Sequence, residues 1–250
     1  MPEIVYEDNH LIVAVKPPNL LTQGDATGDD CLLDQLKLYI KERYHKPGDV
    51  YLGLVHRLDR PVGGLVAFAR TSKAASRLSE QLRTHAMARE YLAVAEGGAS
   101  MPDAGELHDW LVQDEETGRV RTASPDIGLI AHMDTSPDAP GAKEARLSFR
   151  VLGRDAALDT ALVHVRLQTG RKHQIRVQLA HSGHPLVADM RYGRGVRGQP
   201  VALWGAVLRL THPTRKEPMT FLSAPRGDVF LPYAATISGF INDQRKGADL

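Results

Sequence analysis

The chain has 250 residues and a mass of 27.4 kDa, enough for a sizeable buried core. Hydrophobic residues make up 42% and charged residues 24%, close to globular averages, which excludes wholesale disorder, a collagen-like chain or a coiled coil. The formal net charge is only +1, and the single cysteine, Cys31, rules out an intramolecular disulfide and a Cys-rich zinc cluster.

In chain order, Ile4-Val5-Tyr6 and Leu11 to Val15 read as two short strands, closed by Lys16-Pro17-Pro18. Leu32, Leu33, Leu36, Leu38 and Ile40 predict an amphipathic helix ending near Tyr44. A polar stretch, Tyr51 to Arg60, leads through Gly63-Gly64 to an apolar strand, Leu65 to Ala69. Thr71 or Ser72 is placed to cap a helix from Lys73 to about His85, and Arg89 to Ala95 alternates like a strand. Residues 98 to 145 carry ten acids and three bases among many small and turn-forming residues, and are expected to form a surface excursion. Within it, Trp110 to Thr122, centred on Glu115 to Gly118, predicts a hairpin, and Ser136 to Gly141 a loop. Strands resume at Ala145 to Leu152 and Ala161 to Gln168. After Thr169-Gly170 a helix is expected from Arg171 to Ser182, followed by strands at Val201 to Leu210 and Met219 to Leu222 and a helix around Ala234 to Phe240. Many short strands with a few helices and no regular βαβ alternation predict an α+β fold with a mixed, largely antiparallel sheet.

Charge is uneven along this order. Residues 166 to 216 hold ten Lys and Arg against one acid, Asp189, the footprint of a surface for a polyanion or of a solvated basic face. No apolar run reaches the roughly 18 to 20 residues that span a bilayer, and Met1 to His10 lacks the order of a signal peptide, so a cytoplasmic protein without membrane contact is expected. His173, His181 and His184 lack the tight spacing of a metal site, and Cys31 sits on an apolar helix as a core thiol would.

Two segments concentrate polar chemistry. His56-Arg57-Leu58-Asp59-Arg60-Pro61 sets a carboxylate between arginines on a loop leaving a strand, where it is either a reactive group or a turn aspartate paired with Arg57 or Arg60. Gln168 to Leu179 would open a helix whose first-turn amides suit a phosphate, with His173 and Arg176 on one face and Ile175 and Leu179 toward the core. Alone, that pattern also describes an ordinary amphipathic surface helix.

Taken together, His56-Arg57-Leu58-Asp59 with Gly64, Arg89 to Val94, Thr169 to Arg176, and Gly183-His184-Pro185-Leu186 with Asp189 and Tyr192 resemble the RluA family of RNA pseudouridine synthases, in family order and over about residues 4 to 225. The resemblance implies one pseudouridine-synthase domain over residues 1–250 that isomerises a uridine of tRNA or rRNA, with no cofactor and no metal, working as a monomer. Asp59 matches the essential aspartate, Arg176 the arginine that pairs with it, and Tyr91 the aromatic residue stacked on the flipped uracil. Arg57 matches a residue that fills the gap left in the RNA stack, and His56, Arg60, Arg171, Lys172, His173 and Gln174 are the further expected RNA contacts. The basic strip is expected to form one RNA face with Arg57 and Arg60, with the acidic excursion turned away from it.

The chain departs from the family pattern at Val62-Gly63 (usually Thr-Ser), Arg89 (Lys), Ala188 (Gly) and Trp204 (often His). A non-catalytic RNA-binding or ribosome-assembly factor on the same fold is the competing reading. It has no need for Asp59, Tyr91 and Arg176 together.

Overall fold

The computed structural model describes residues 1–114, 117–123 and 140–247. In chain order the elements are β1 (Glu3–Glu7), β2 (Leu11–Lys16), α1 (Leu32–Arg43), β3 (Gly53–Leu54), β4 (Gly63–Ala69), α2 (Ser72–Arg83), β5 (Ala88–Glu96) and β6 (Ala104–Gln113). There follow β7 (Val120–Thr122), β8 (Lys143–Asp155), β9 (Thr160–Leu167), α3 (Gln174–His181), β10 (Leu203–Thr211), β11 (Pro218–Leu222), a 3-10 turn over Asp228–Tyr233 and α4 (Ala234–Lys246). They gather into two compact units, neither continuous in sequence. The first comprises Met1–Arg89, Trp204–Arg226 and Ile237–Leu250, the second Glu90–Leu203 and Gly227–Thr236.

In the first unit the strand order is β1-β2-β4-β10, with β3 added to β4 and β11 to β10. The β4–β10 pair is parallel and the rest antiparallel, so the fold is α+β with a mixed, largely antiparallel sheet. Every residue of β2 and β4 is buried, and an uninterrupted apolar run such as Leu65 to Ala69 is what a strand covered on both faces requires. Leu32, Leu36 and Ile40 of α1 recur at helical spacing and are buried. The thiol of Cys31 is also buried, as expected of a core cysteine. Thr71 caps α2, its Oγ1 accepting the Ala74 amide at 3.1 Å. Asp8 joins the unit's two ends. Its carboxylate accepts the amides of His10 and Leu11, each at 2.8 Å, closing the β1–β2 turn, and lies 2.7 Å from Nε2 of the buried His212.

In the second unit the order is β5-β9-β8-β6-β7, antiparallel throughout. The hairpin expected over Trp110 to Thr122 is β6–β7, with Leu111 opposite Thr122 and Gln113 opposite Val120; Glu115 and Glu116 at its centre lie outside the described residues. Its surroundings differ from the expected excursion. β6 runs beside β8 from Ala104–Arg150 to Leu111–Lys143 and is an inner strand of the sheet. Of the acids that suggested a surface loop, Glu106 and Asp109 lie on this strand, whose burial alternates: Glu106 is exposed, and Asp109 is buried and accepts from Gln178 Nε2 at 2.6 Å. Of the expected loop Ser136 to Gly141, only Pro140 and Gly141 are among the described residues. No helix among the described residues is long and apolar enough to cross a membrane.

Candidate functional site

In the first unit the segment from His56 to Pro61 crosses from β3 to β4, and its side chains alternate inward and outward. His56 and Leu58 are buried, Arg57 and Arg60 exposed, Asp59 half-buried. Thr22 clamps the segment from below, its Oγ1 donating to the Leu58 carbonyl at 2.8 Å and accepting the Leu58 amide at 3.2 Å. The Val62 amide closes a turn on the Asp59 carbonyl at 3.0 Å.

Beneath this turn lies a group that the sequence reading passed over as a strand end. Lys16 is fully buried, and its Nζ donates to the carbonyls of Leu20 (2.7 Å), Pro17 (2.9 Å) and Arg60 (3.1 Å). Burial pushes its ammonium down to about 7, against the opposing pull of the Asp59 carboxylate. The signal was present in Leu11 to Lys16, a wholly apolar strand ending in one charge.

His56 faces inward, its Nε2 accepting the Ala67 amide at 3.1 Å. Burial, with Arg89's charge adding to it, lowers the imidazole to about 3, so His56 is neutral at physiological pH and presents no cation to a ligand. Arg60 pairs with Asp29 at 2.7 Å, and its Nε donates to the Asn19 carbonyl at 3.3 Å. The glycines that follow are required by close approach. A Cβ at Gly63 would lie 2.2 Å from Cζ3 of Trp204, and one at Gly64, where φ is +126°, would lie 2.3 Å from the Gly205 amide nitrogen.

In the second unit Tyr91 is buried on β5, opposite Val165 of β9. The helix expected from Arg171 starts three residues later, at Gln174, because Gln174's own side chain organises the residues before it. Its Oε1 accepts from Thr169 Oγ1 at 2.8 Å and from the Arg171 amide at 2.9 Å, while its Nε2 donates to the Arg146 carbonyl at 3.0 Å. His173, just before the helix, takes a left-handed conformation at φ 54°. Gln174 is thus buried and shapes the loop from inside, while Arg171 is exposed and Lys172 and His173 half-exposed.

Arg176 is buried in the first turn of α3 and held edge-on by Asp189, Nε to Oδ2 at 2.7 Å and Nη2 to Oδ1 at 2.8 Å. Asp189 has no exposed surface and also accepts the amides of Arg191 (2.9 Å) and Tyr192 (3.2 Å). Burial acts to raise its carboxyl, but Arg176's hydrogen bonds and charge, with the two amides, hold it below the usual carboxylate range. Tyr192 completes the arrangement. Its ring centroid lies 5.2 Å from the Arg176 guanidinium, and its hydroxyl accepts the Val120 amide at 3.1 Å and lies 2.7 Å from His173 Nδ1. Asp189 and Tyr192 were legible only as members of a sequence block, with no role attached. Ala188, before them, stands at φ 61°, the left-handed conformation that explains a glycine preference there.

The basic strip at 166 to 216 does not present itself as one set of outward charges. Arg176 is buried, Arg209 is bonded to Gln244, and Arg215 donates to Tyr6 Oη at 2.9 Å and pairs with Glu217 at 3.0 Å. The described part of the 98 to 145 segment is not turned away from Arg191 of the strip. Arg119 donates to the Arg191 carbonyl at 3.2 Å and Arg191 to that of Gly118 at 3.3 Å.

Comparison with known proteins adds to this geometry. The family model described as RNA pseudouridylate synthase matches residues 10–181. A ribosomal large subunit pseudouridine synthase D from Yersinia pestis is 34% identical over 231 residues, covering 85% of this chain and 64% of that protein. A tRNA pseudouridine synthase C from Pectobacterium carotovorum is 30% identical, covering 88% and 58%. The chain thus spans about three fifths of the length of these curated relatives. Among solved structures, human RNA pseudouridylate synthase domain containing 4 superposes with a TM-score of 0.73 at 23% identity, covering 94% of this chain and 93% of that one, a likeness of fold.

Proposed function

Because the chain belongs to the RNA pseudouridylate synthase family, we propose that it isomerises a uridine in structured RNA to pseudouridine, with Asp59 as the catalytic carboxylate. The substrate is ribosomal or transfer RNA, the two classes in the relatives' names. The observation that carries the reading is Arg176, a buried guanidinium fixed along one edge by Asp189 and stacked by Tyr192 within the Thr169 to Arg176 block.

The chemistry asked of these residues is a rearrangement within one nucleotide. The target is extruded from its stack, at a cost of a few kcal/mol, and Arg57, exposed beside Asp59, occupies the space it leaves. Tyr91 stacks on the uracil. Asp59 then either attacks C1′ or takes the 2′ proton, and the N1–C1′ bond breaks. The base turns and C5 bonds to C1′, displacing the Asp59 carboxylate in the first course or with the proton returned to C2′ in the second; C5 then loses its proton and N1 gains one. Composition and oxidation level are unchanged, so no redox or group-donating cofactor is needed. A guanidinium carries five N–H donors. Asp189 takes Nε and one Nη2 hydrogen, and the reading gives Arg176 the part of counter-charge to the catalytic carboxylate. Arg171 and Lys172 supply phosphate contacts, and the protein works as a cytoplasmic monomer without metal.

The test is pseudouridine mapping of total RNA from cells lacking this gene. Loss of one or more ribosomal or transfer RNA sites, restored by the wild-type gene, is the expected result; an unchanged map overturns the reading.

A further inference from the structure

The β6–β7 hairpin is built in two layers. Its returning strand follows a period of two: Val120 and Thr122 are buried, Arg119 and Arg121 exposed. The inner layer, Leu111 and Val120, packs with Ala145, Val177 of α3 and Tyr192 as one small apolar cluster. The outer layer is basic. A Cβ at Gly118, where φ is +62°, would lie 3.5 Å from Lys172 Nζ, and the Arg119 and Arg191 clasp at 3.2 and 3.3 Å sets a third cation beside these two. No ion pair among the described residues engages Arg119, Arg121, Lys172 or Arg191. By contrast Asp114, the described acid at the hairpin's turn, is bent back into it, its Oδ1 accepting from the Thr117 amide at 2.7 Å and from Thr117 Oγ1 at 2.9 Å.

Four cations held on a docked, apolar-backed hairpin and the loops it touches form a surface for a chain of phosphates. We propose that the β6–β7 hairpin is an RNA-docking arm, in which Arg119 and Arg121, with Lys172 and Arg191, hold backbone phosphates of the substrate RNA. The proposal rests on the pseudouridine-synthase reading and extends it to an element whose overall composition is acidic. It also gives the hairpin a route to the site. Val120 bonds to Tyr192, whose ring lies against Arg176, so RNA held on the arm bears on the residue assigned as counter-charge to Asp59.

The test uses the full chain with two fluorescent transcripts, a transfer RNA and a large-subunit ribosomal RNA fragment, binding being followed by anisotropy across a salt series. Arg119→Glu/Arg121→Glu is expected to weaken binding to both by at least about tenfold near 0.1 M salt, and to lower the slope of log affinity against log salt by about 1.4 to 1.8 for two lost contacts. Arg83→Glu, on an exposed face of α2 in the first unit, changes the net charge equally for one residue and is expected to leave the slope unchanged. Unaltered melting of the double variant establishes that the arm is folded; should it melt early, Arg119→Gln/Arg121→Gln, which removes charge without reversing it, must lower the slope by the same amount. Wild-type affinity and slope in a folded double variant, or an equal loss in Arg83→Glu, overturns the arm while leaving the synthase reading intact. Wild-type protein that binds RNA through the arm yet forms no pseudouridine overturns the synthase reading and not the arm.

Discussion

Trp204 occupies the space that a side chain at position 63 would fill: a Cβ built on Gly63 falls 2.2 Å from Cζ3 and 2.5 Å from Cε3 of the buried indole, inside any permitted contact. Two departures from the family pattern, Gly63 and Trp204, are therefore one exchange, in which loss of a side chain on β4 admits a large ring from β10. The indole is fixed by its Nε1 donating to Ser223 Oγ at 3.2 Å.

The exchange predicts non-additive substitutions. Gly63→Ser overpacks a site with no slack and is expected to cost about 1 to 3 kcal/mol or more. Trp204→His alone leaves a cavity, costing roughly 2 to 4 kcal/mol. Gly63→Ser/Trp204→His should lose clearly less than the sum, because the smaller ring accepts the new side chain. Denaturant unfolding of the four proteins measures the coupling, and strict additivity would mean that the two positions do not compensate.

The Arg176–Asp189 pair separates charge from geometry. Asp189→Asn keeps the shape but removes the carboxylate charge from the buried edge of Arg176, with an expected stability loss of about 3 to 5 kcal/mol. Arg176→Lys keeps the charge and gives up the two-pronged contact, so it should fold and lose turnover far more than RNA affinity. Melting curves and single-turnover rates check the pair; full turnover by Arg176→Lys would show that edge-on fixation of the guanidinium has no part in the chemistry.

Lys16 is expected to leave its mark on the pH dependence of stability. Its folded pKa of about 7 lies below the roughly 10.4 of an unfolded lysine, so the folded chain gives up this proton first and the unfolded chain binds more protons across that interval. The cost of holding a buried ammonium is therefore present below about pH 7 and is relieved as pH rises toward 10. Relative to Lys16→Met, wild-type stability should increase through this window, a difference visible in urea midpoints at pH 6, 8 and 9. A constant difference would place the Lys16 pKa near its ordinary value. Because Lys16 also ties the Arg60 carbonyl, Lys16→Met should slow turnover as well.

What was legible in the sequence is what local chemistry decides. The strands Leu11 to Val15 and Leu65 to Ala69 were visible as apolar runs between turn residues, and α2 through its Thr71 cap. The start of α3 was not, since Gln174 folds its side chain back onto Thr169 and Arg171, a contact that no propensity encodes. β6 was hidden because the acids in and around it read as a loop's composition, although Glu106 and Asp109 fall on opposite faces of an alternating strand. Motif matching singled out Asp59, Tyr91 and Arg176 and included Asp189 without a role, so the positioning parts of Lys16 below the Asp59 turn and of Asp189 against Arg176 stayed hidden. Those act through backbone carbonyls and a buried ion pair that only the folded chain brings together.

The central claim is that Asp59 carries the chemistry, and it is tested most directly by comparing wild type and Asp59→Asn for tritium release from RNA labelled at C5 of uridine. The transcript should be one whose site is identified by mapping. The amide keeps the shape of the turn and removes the charge, so the variant is expected to melt and bind RNA like wild type while releasing no tritium above background. Release by Asp59→Asn at the wild-type rate would contradict the account.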